Sequence, residues 1–138
     1  MSGPFEMQVT IGSSDCDALG HMNVARYFAL CNQAGFAMQD AIGWPPGAAN
    51  AGRRYSFAVV KSNSAFLSEV HEGARLTVRC GIGRMGTKSA DFENTIWGAD
   101  GRLVFQSTWV SALMDLDARC AVAIPEDLRA ALRLHPAA

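Results

Sequence analysis

Asp15 and Asp17 stand two residues apart in a polar stretch, Asp15-Cys16-Asp17-Ala18-Leu19-Gly20-His21-Met22-Asn23-Val24-Ala25-Arg26-Tyr27, that feeds into a helical pattern. Unpaired N–H groups at a helix start carry the positive end of the helix dipole and can polarise a carbonyl oxygen. A carboxylate beside them can attack that carbonyl or direct water at it. The same two carboxylates would also serve as acceptors for loop and helix-start N–H groups. Spacing alone therefore leaves a catalytic and a capping reading open.

Other motifs fail on their mechanics. Gly81-Ile82-Gly83-Arg84-Met85-Gly86 matches GxGxxG, but a dinucleotide site needs a helix to start there, and Thr87 to Trp97 alternates like a strand. Gly86-Thr87-Lys88-Ser89 resembles the end of a phosphate loop, with Thr87 misplaced and again no helix following. A calcium loop opening at Asp15 would need an oxygen ligand at Leu19 and a glutamate at Arg26. There is no GxSxG elbow. Cys16, Cys31, Cys80 and Cys120 are far apart and form no CxxC pair, so packed, reduced thiols are expected and no metal site.

The elements that must position the carboxylates follow from periodicity. Met7, Val9 and Ile11 alternate as a short first strand. Tyr27, Leu30, Cys31, Ala34, Met38, Ala41 and Ile42 recur at helical steps, with Asn23 as N-cap and Gly43 as the stop. Trp44 to Arg54, with two prolines and two glycines, reads as a loop. Leu76 to Ile82 and Ala90 to Ile96 alternate as strands, with turns at Arg84–Thr87 and Asp100-Gly101. Leu103 to Met114 is apolar on both faces, as for a strand covered on both sides. A short helix with Pro125, Glu126 and Asp127 in its first turn should close the chain. One long helix against one antiparallel sheet is an α+β design.

The stretch from Asp15 to Tyr27 resembles the DxDxxGHxNNxxY signature of hotdog-fold thioesterases of the 4-hydroxybenzoyl-CoA thioesterase type. Val59-Val60-Lys61-Ser62-Asn63-Ser64-Ala65-Phe66-Leu67 resembles that family's strand after the helix. Arg84 to Ser89 resembles its second hairpin, and Ile124-Pro125-Glu126-Asp127-Leu128 its closing segment. The resemblance implies a hotdog fold, one long central helix wrapped by a curved antiparallel sheet, over a single domain 1–138. It also implies an acyl-CoA thioesterase that releases a carboxylic acid and CoA. Asp17 would be the nucleophile or general base, and the Val24 N–H would stabilise the oxyanion. His21 would line the site or pack the loop, while Asp15 and Tyr27 would be structural. Asn63 and Ser64 would reach the site from a facing subunit, and Arg84, Lys88 and Ser89 would meet the CoA phosphates. Val24 replaces the family's second Asn, which bears on substrate preference more than on catalysis, since its N–H remains.

The bulk numbers fit. At 138 residues the chain makes one domain, and its net charge of −1 excludes a global field for nucleic acid or anionic membrane. Apolar residues are 49% and charged residues 18%, which leans towards a subunit interface. With no signal-like start in Met1 to Gln8 and no long apolar span, a cytoplasmic protein is expected. No cofactor is expected, coenzyme A being part of the substrate. The expected partners are the acyl-CoA and a second subunit in a homodimer, or three in a homotetramer should the Leu103–Met114 strand make a sheet-face contact. Two alternatives compete: a hotdog enoyl-thioester hydratase, disfavoured by Leu19 where an Asn is preferred, and a non-catalytic acyl-CoA binding protein.

Overall fold

A computed structural model describes residues 3–50 and 52–137. Met1, Ser2, Ala51 and Ala138, at the ends of the expected domain and in its loop, lie outside the described residues. Strand β1 (Phe5–Thr10) leads through a 3-10 turn (Ser13–Asp15) to helix α1 (Val24–Ala41). Strands β2 (Tyr55–Phe66), β3 (Arg75–Met85), β4 (Ser89–Gly98) and β5 (Leu103–Asp115) follow. A two-residue β6 (Cys120–Ala121) and helix α2 (Glu126–Leu132) close the chain.

Helix α1 forms where the apolar residues recur every three or four positions. Tyr27, Leu30, Cys31, Ala34 and Met38 are buried in one stripe. Asn23 Oδ1 accepts the Ala25 N–H at 2.8 Å and so caps the first turn. At the other end Gly43 takes φ +85°, a left-handed conformation in which a Cβ would be strained. Burying Leu30 and Met38 completely contributes roughly 1.5–3 kcal/mol each.

The strands form one antiparallel sheet in the order β1-β3-β4-β5-β2, with β6 appended to β5. Period-2 alternation turns Leu76, Val78, Cys80 and Ile82 of β3 inward, together with Ala90, Phe92, Asn94 and Ile96 of β4. Met85 ends β3 two positions later than the expected Arg84–Thr87 turn implies, and residues 86–88 make the connection. Two edges remain. The β1 edge is short, and beyond Phe5 the tail takes its place: Ile82 N–H donates to His135 O at 2.8 Å and Ala137 N–H to Ile82 O at 2.9 Å. Gly81 permits this crossing, since a Cβ there would come within 2.7 Å of the Ala137 backbone. The β2 edge is twelve residues long, and residues 58–63 are exposed.

Two expectations need adjustment. The β5 strand has neighbours on both sides but is not covered on both faces within one chain. Its outward positions Gln106, Thr108, Val110 and Ala112 stay exposed or half-buried, while Phe105, Ser107, Ser111 and Leu113 face α1. Pro125 stands just outside α2 as its N-cap residue, with φ −62° and ψ 152°. Of the four thiols, Cys31 and Cys80 are buried, Cys16 is half-buried and Cys120 is exposed. No described helix is long and apolar enough to cross a membrane.

Candidate active site

The polar stretch folds into a miniature hairpin laid against the start of α1. Cys16 and Met22 pair as an isolated antiparallel bridge. Asp17 N–H donates to His21 O at 3.1 Å, and Gly20 N–H to Asp17 O at 3.0 Å. The turn Asp17-Ala18-Leu19-Gly20 closes because Gly20 adopts φ +87°. Asn23 N–H then donates to Asp15 O at 2.9 Å, tying the hairpin to the helix cap.

The two carboxylates have different surroundings. Asp15 Oδ2 accepts the Gly12 N–H at 2.8 Å, and its Oδ1 lies 2.8 Å from Arg26 Nε. That approach is too poorly aligned for a hydrogen bond, so it acts as an ion pair. Asp17 Oδ1 accepts the Leu19 N–H at 2.9 Å, and no cation pairs with this carboxylate among the described residues. The Val24 N–H, first of α1, likewise has no acceptor among the described residues, because the Asn23 side chain serves Ala25. A half-buried, unneutralised carboxylate thus lies in the hairpin whose other strand leads to a free helix-start N–H. The Cys16 thiol between the two aspartates is no rival nucleophile. Partial burial first, then the charges of Glu72, Asp15 and Asp17, push it upward and keep it protonated.

The turn after β2 holds this hairpin in place. Met22 N–H donates to Val70 O at 2.6 Å, and His71 Nδ1 is 3.0 Å from Gly20 O. The helix start is anchored by rings: Tyr27 meets Phe66 and Phe105 at 5.1 Å each, and those two meet at 4.9 Å. Tyr27 is therefore a packing residue, its hydroxyl pushed up by burial and by Glu69. His21 is half-buried and its ring makes no hydrogen bond among the described residues, whereas His71 does. Nothing in the polar segment Ser68 to Gly73 marks His71 as a support in the sequence.

The remaining candidates are not gathered here within one chain. Ser64 faces α1, its hydroxyl 2.7 Å from that of Ser107, with Ser62 3.3 Å from Ser107. Asn63, next to it, points to the opposite face, opposite Thr108. Arg84, Lys88 and Ser89 lie at the other end of the sheet. Arg75 begins β3 beside the motif and Met85 ends it, so about 30 Å separates the two ends. Arg84 is exposed and 4.0 Å from Asp91, and Lys88 is exposed without an ion pair among the described residues. Arg129, which no motif in the sequence singles out, donates from Nη2 to Gly86 O at 2.5 Å and Thr87 O at 3.1 Å and pins this turn from α2.

Comparison with known proteins bears on both the fold and the motif. The thioesterase-like superfamily matches residues 11–132. No curated protein matches the sequence. Among solved structures, a predicted thioesterase from Bacillus stearothermophilus is 21% identical with a TM-score of 0.83, covering 96% of both chains. A hypothetical protein from Staphylococcus aureus, solved in complex with CoA, is 19% identical with a TM-score of 0.82, covering 95% of this chain and 82% of that one. A 1,4-dihydroxy-2-naphthoyl-CoA thioesterase from Synechocystis is 17% identical with a TM-score of 0.80, covering 94% and 96%.

Proposed function

The chain belongs to the thioesterase-like superfamily, and from that premise we propose that it hydrolyses acyl-CoA thioesters with Asp17 as the attacking or water-directing group. It is a thioester hydrolase built on the hotdog fold, one helix laid across a six-stranded antiparallel sheet. The observation that carries the Asp17 assignment is the division of labour in the hairpin. Asp15 is paired with Arg26, while Asp17 has no cation partner among the described residues and lies in the hairpin that leads to the unoccupied Val24 N–H.

In general-base form, Asp17 takes a proton from water as the oxygen adds to the thioester carbon. The negative charge that develops on the carbonyl oxygen is met by the Val24 N–H. Collapse breaks the C–S bond, and the departing thiolate of CoA recovers a proton. In nucleophilic form the carboxylate adds directly, the thiolate leaves, and water cleaves the resulting anhydride. Both routes need the carboxylate ionised and the helix start free. His21 would line this site.

A homodimer completes the site. The exposed β2 edge is the natural pairing surface, since an open strand of twelve residues offers a row of unpaired N–H and C=O groups. Phe66, at one end of β2, packs on Tyr27 near the hairpin. The other end, Tyr55, pairs with Asp115, close to where Leu113 N–H meets Lys88 O. Antiparallel pairing of two β2 strands about a two-fold axis would lay the motif end of one protomer against the other's Arg84, Lys88 and Ser89. Those groups suit phosphates, and Asn63 and Ser64 would lie along the same seam. The separation of about 30 Å within one protomer would then be closed by the partner subunit. Release of free thiol from short, medium, long and aromatic acyl-CoAs tests the reading, and no turnover with any of them would contradict it.

A further inference from the structure

Three buried polar atoms without a partner converge beneath the middle of α1: both side-chain atoms of Asn94 and the indole Nε1 of Trp109. Asn94 is only 2% exposed. An amide buried with neither its N–H groups nor its oxygen bonded is destabilising, so its presence calls for a partner.

The surroundings indicate what that partner is. Asn94 pairs across the sheet with Cys80 on one side and Ser107 on the other, and Ser107 pairs with Ser64. This polar row, with Ser62 and Ser111 nearby, crosses a largely apolar inner face, between Phe92 and Trp109 on one flank and Ile96 and Phe105 on the other. Asn94, Ser111 and Trp109 line a cavity of about 30 Å³ with Phe57 and Phe92. The Ser111 hydroxyl is itself poorly engaged, 3.5 Å from Trp109 O. The cavity shares Asn32, Val59 and Trp109 with a larger apolar cleft of about 420 Å³ between α1 and β2, also lined by Phe28, Ala29 and Ser62.

The cleft is aligned with the proposed reaction centre. Val24, Phe28, Asn32 and Phe36 recur every four residues and form one row along α1. From the Val24 N–H to Asn32 is roughly 12 Å along the helix axis, the reach of an acyl chain of about ten carbons. Such a chain would lie in the apolar cleft and end at Asn94.

We infer that Asn94, with Trp109 and Ser111, is a specificity site for medium-length acyl groups that carry a hydroxyl or oxo group near their far end. The inference rests on the Asp17 reading, which sets where the thioester carbonyl lies. A hydroxyl accepts from the Trp109 N–H or the Asn94 amide and donates to Asn94 Oδ1. The cavity is the size of one such group.

The test compares 10-hydroxydecanoyl-CoA with decanoyl-CoA, using wild type and Asn94→Leu. Wild type should favour the hydroxylated substrate in kcat/KM, and Asn94→Leu should lower the hydroxyl-over-plain ratio on the order of 10- to 100-fold. A merely structural Asn94 would lower both values together and leave the ratio alone. Ser111→Ala, a smaller change, should move the ratio the same way and guards against misfolding of the first variant. A ratio that both variants leave unchanged, with both thioesters hydrolysed, overturns the specificity site and leaves the thioesterase reading standing. No hydrolysis of either thioester by wild type overturns both.

Discussion

Arg26 Nε lies 2.8 Å from Asp15 Oδ1, so the guanidinium in the first turn of α1 is committed to the first carboxylate of the motif and not the second. Sequence position gives the two aspartates equal access to the helix start; side-chain geometry separates them. One is held in an ion pair, and the other has no cation partner among the described residues.

That ion pair should be measurable as stability. Asp15→Asn loses the ion pair with Arg26 and weakens the acceptor for the Gly12 N–H. The pair is partly exposed, at 30% and 19%, so the loss is about 1 kcal/mol and not the several expected of a buried pair. Thermal unfolding should begin a few degrees lower, and Arg26→Gln should reproduce most of that shift.

Assembly is the next expected outcome. Val60 lies at the bulge of β2 and is 64% exposed in the single chain, so Val60→Lys should fold. In a two-fold β2 seam it would place like charges near one another and remove apolar contact. Sedimentation should find wild type dimeric at micromolar concentration and the variant shifted to monomer with activity lost in parallel. A monomeric, fully active wild type would refute the shared site.

The CoA end of the ligand predicts a kinetic split. Replacing Arg84 and Lys88 with Ala should raise KM several-fold while kcat changes little, since a phosphate contact is the same in ground and transition states. Added salt should weaken wild-type binding in the same direction. An unchanged KM would move the phosphate contacts elsewhere.

Much of this layout is legible in the sequence. Helix α1 is, because its stripe, its Asn23 cap and its Gly43 stop agree. So are β3 and β4, because one face is buried and period 2 shows plainly. The β5 strand misleads because small residues, Val110 and Ala112, occupy outward positions without being covered. The local motif names Asp17, but supports drawn from distant segments leave no periodic trace. His71 and Arg129 act through backbone carbonyls of Gly20, Gly86 and Thr87, contacts that any polar turn could make. Asn94 is one polar residue in a strand otherwise read as apolar on that face, and only its burial without partners marks it.

Alkaline pH offers an independent check on the packing of α1. Burial pushes the Cys31 and Cys80 thiols up to about 12 from an ordinary value of 9.0. Below pH 9 both folded and unfolded thiols are protonated and stability does not depend on them. As pH rises from 9 to 12 the unfolded chain ionises and the folded one does not, so stability is lost at up to about 1.4 kcal/mol per pH unit for each thiol. Denaturant titrations should find this slope, and Cys80→Ala should flatten it. In the native state at pH 8, iodoacetamide should modify exposed Cys120 and spare these two.

The assignment of Asp17 meets its most direct test in Asp17→Asn, which keeps the shape and the Leu19 hydrogen bond of the turn and removes the charge. Asp17→Asn should give a folded dimer with acyl-CoA hydrolysis lowered by roughly 10²–10⁴, the scale of losing a positioned base, and more if the carboxylate is a covalent nucleophile. Asp15→Asn, assayed beside it, should retain most of its turnover. A folded Asp17→Asn protein that hydrolyses acyl-CoA at near the wild-type rate would contradict the assignment.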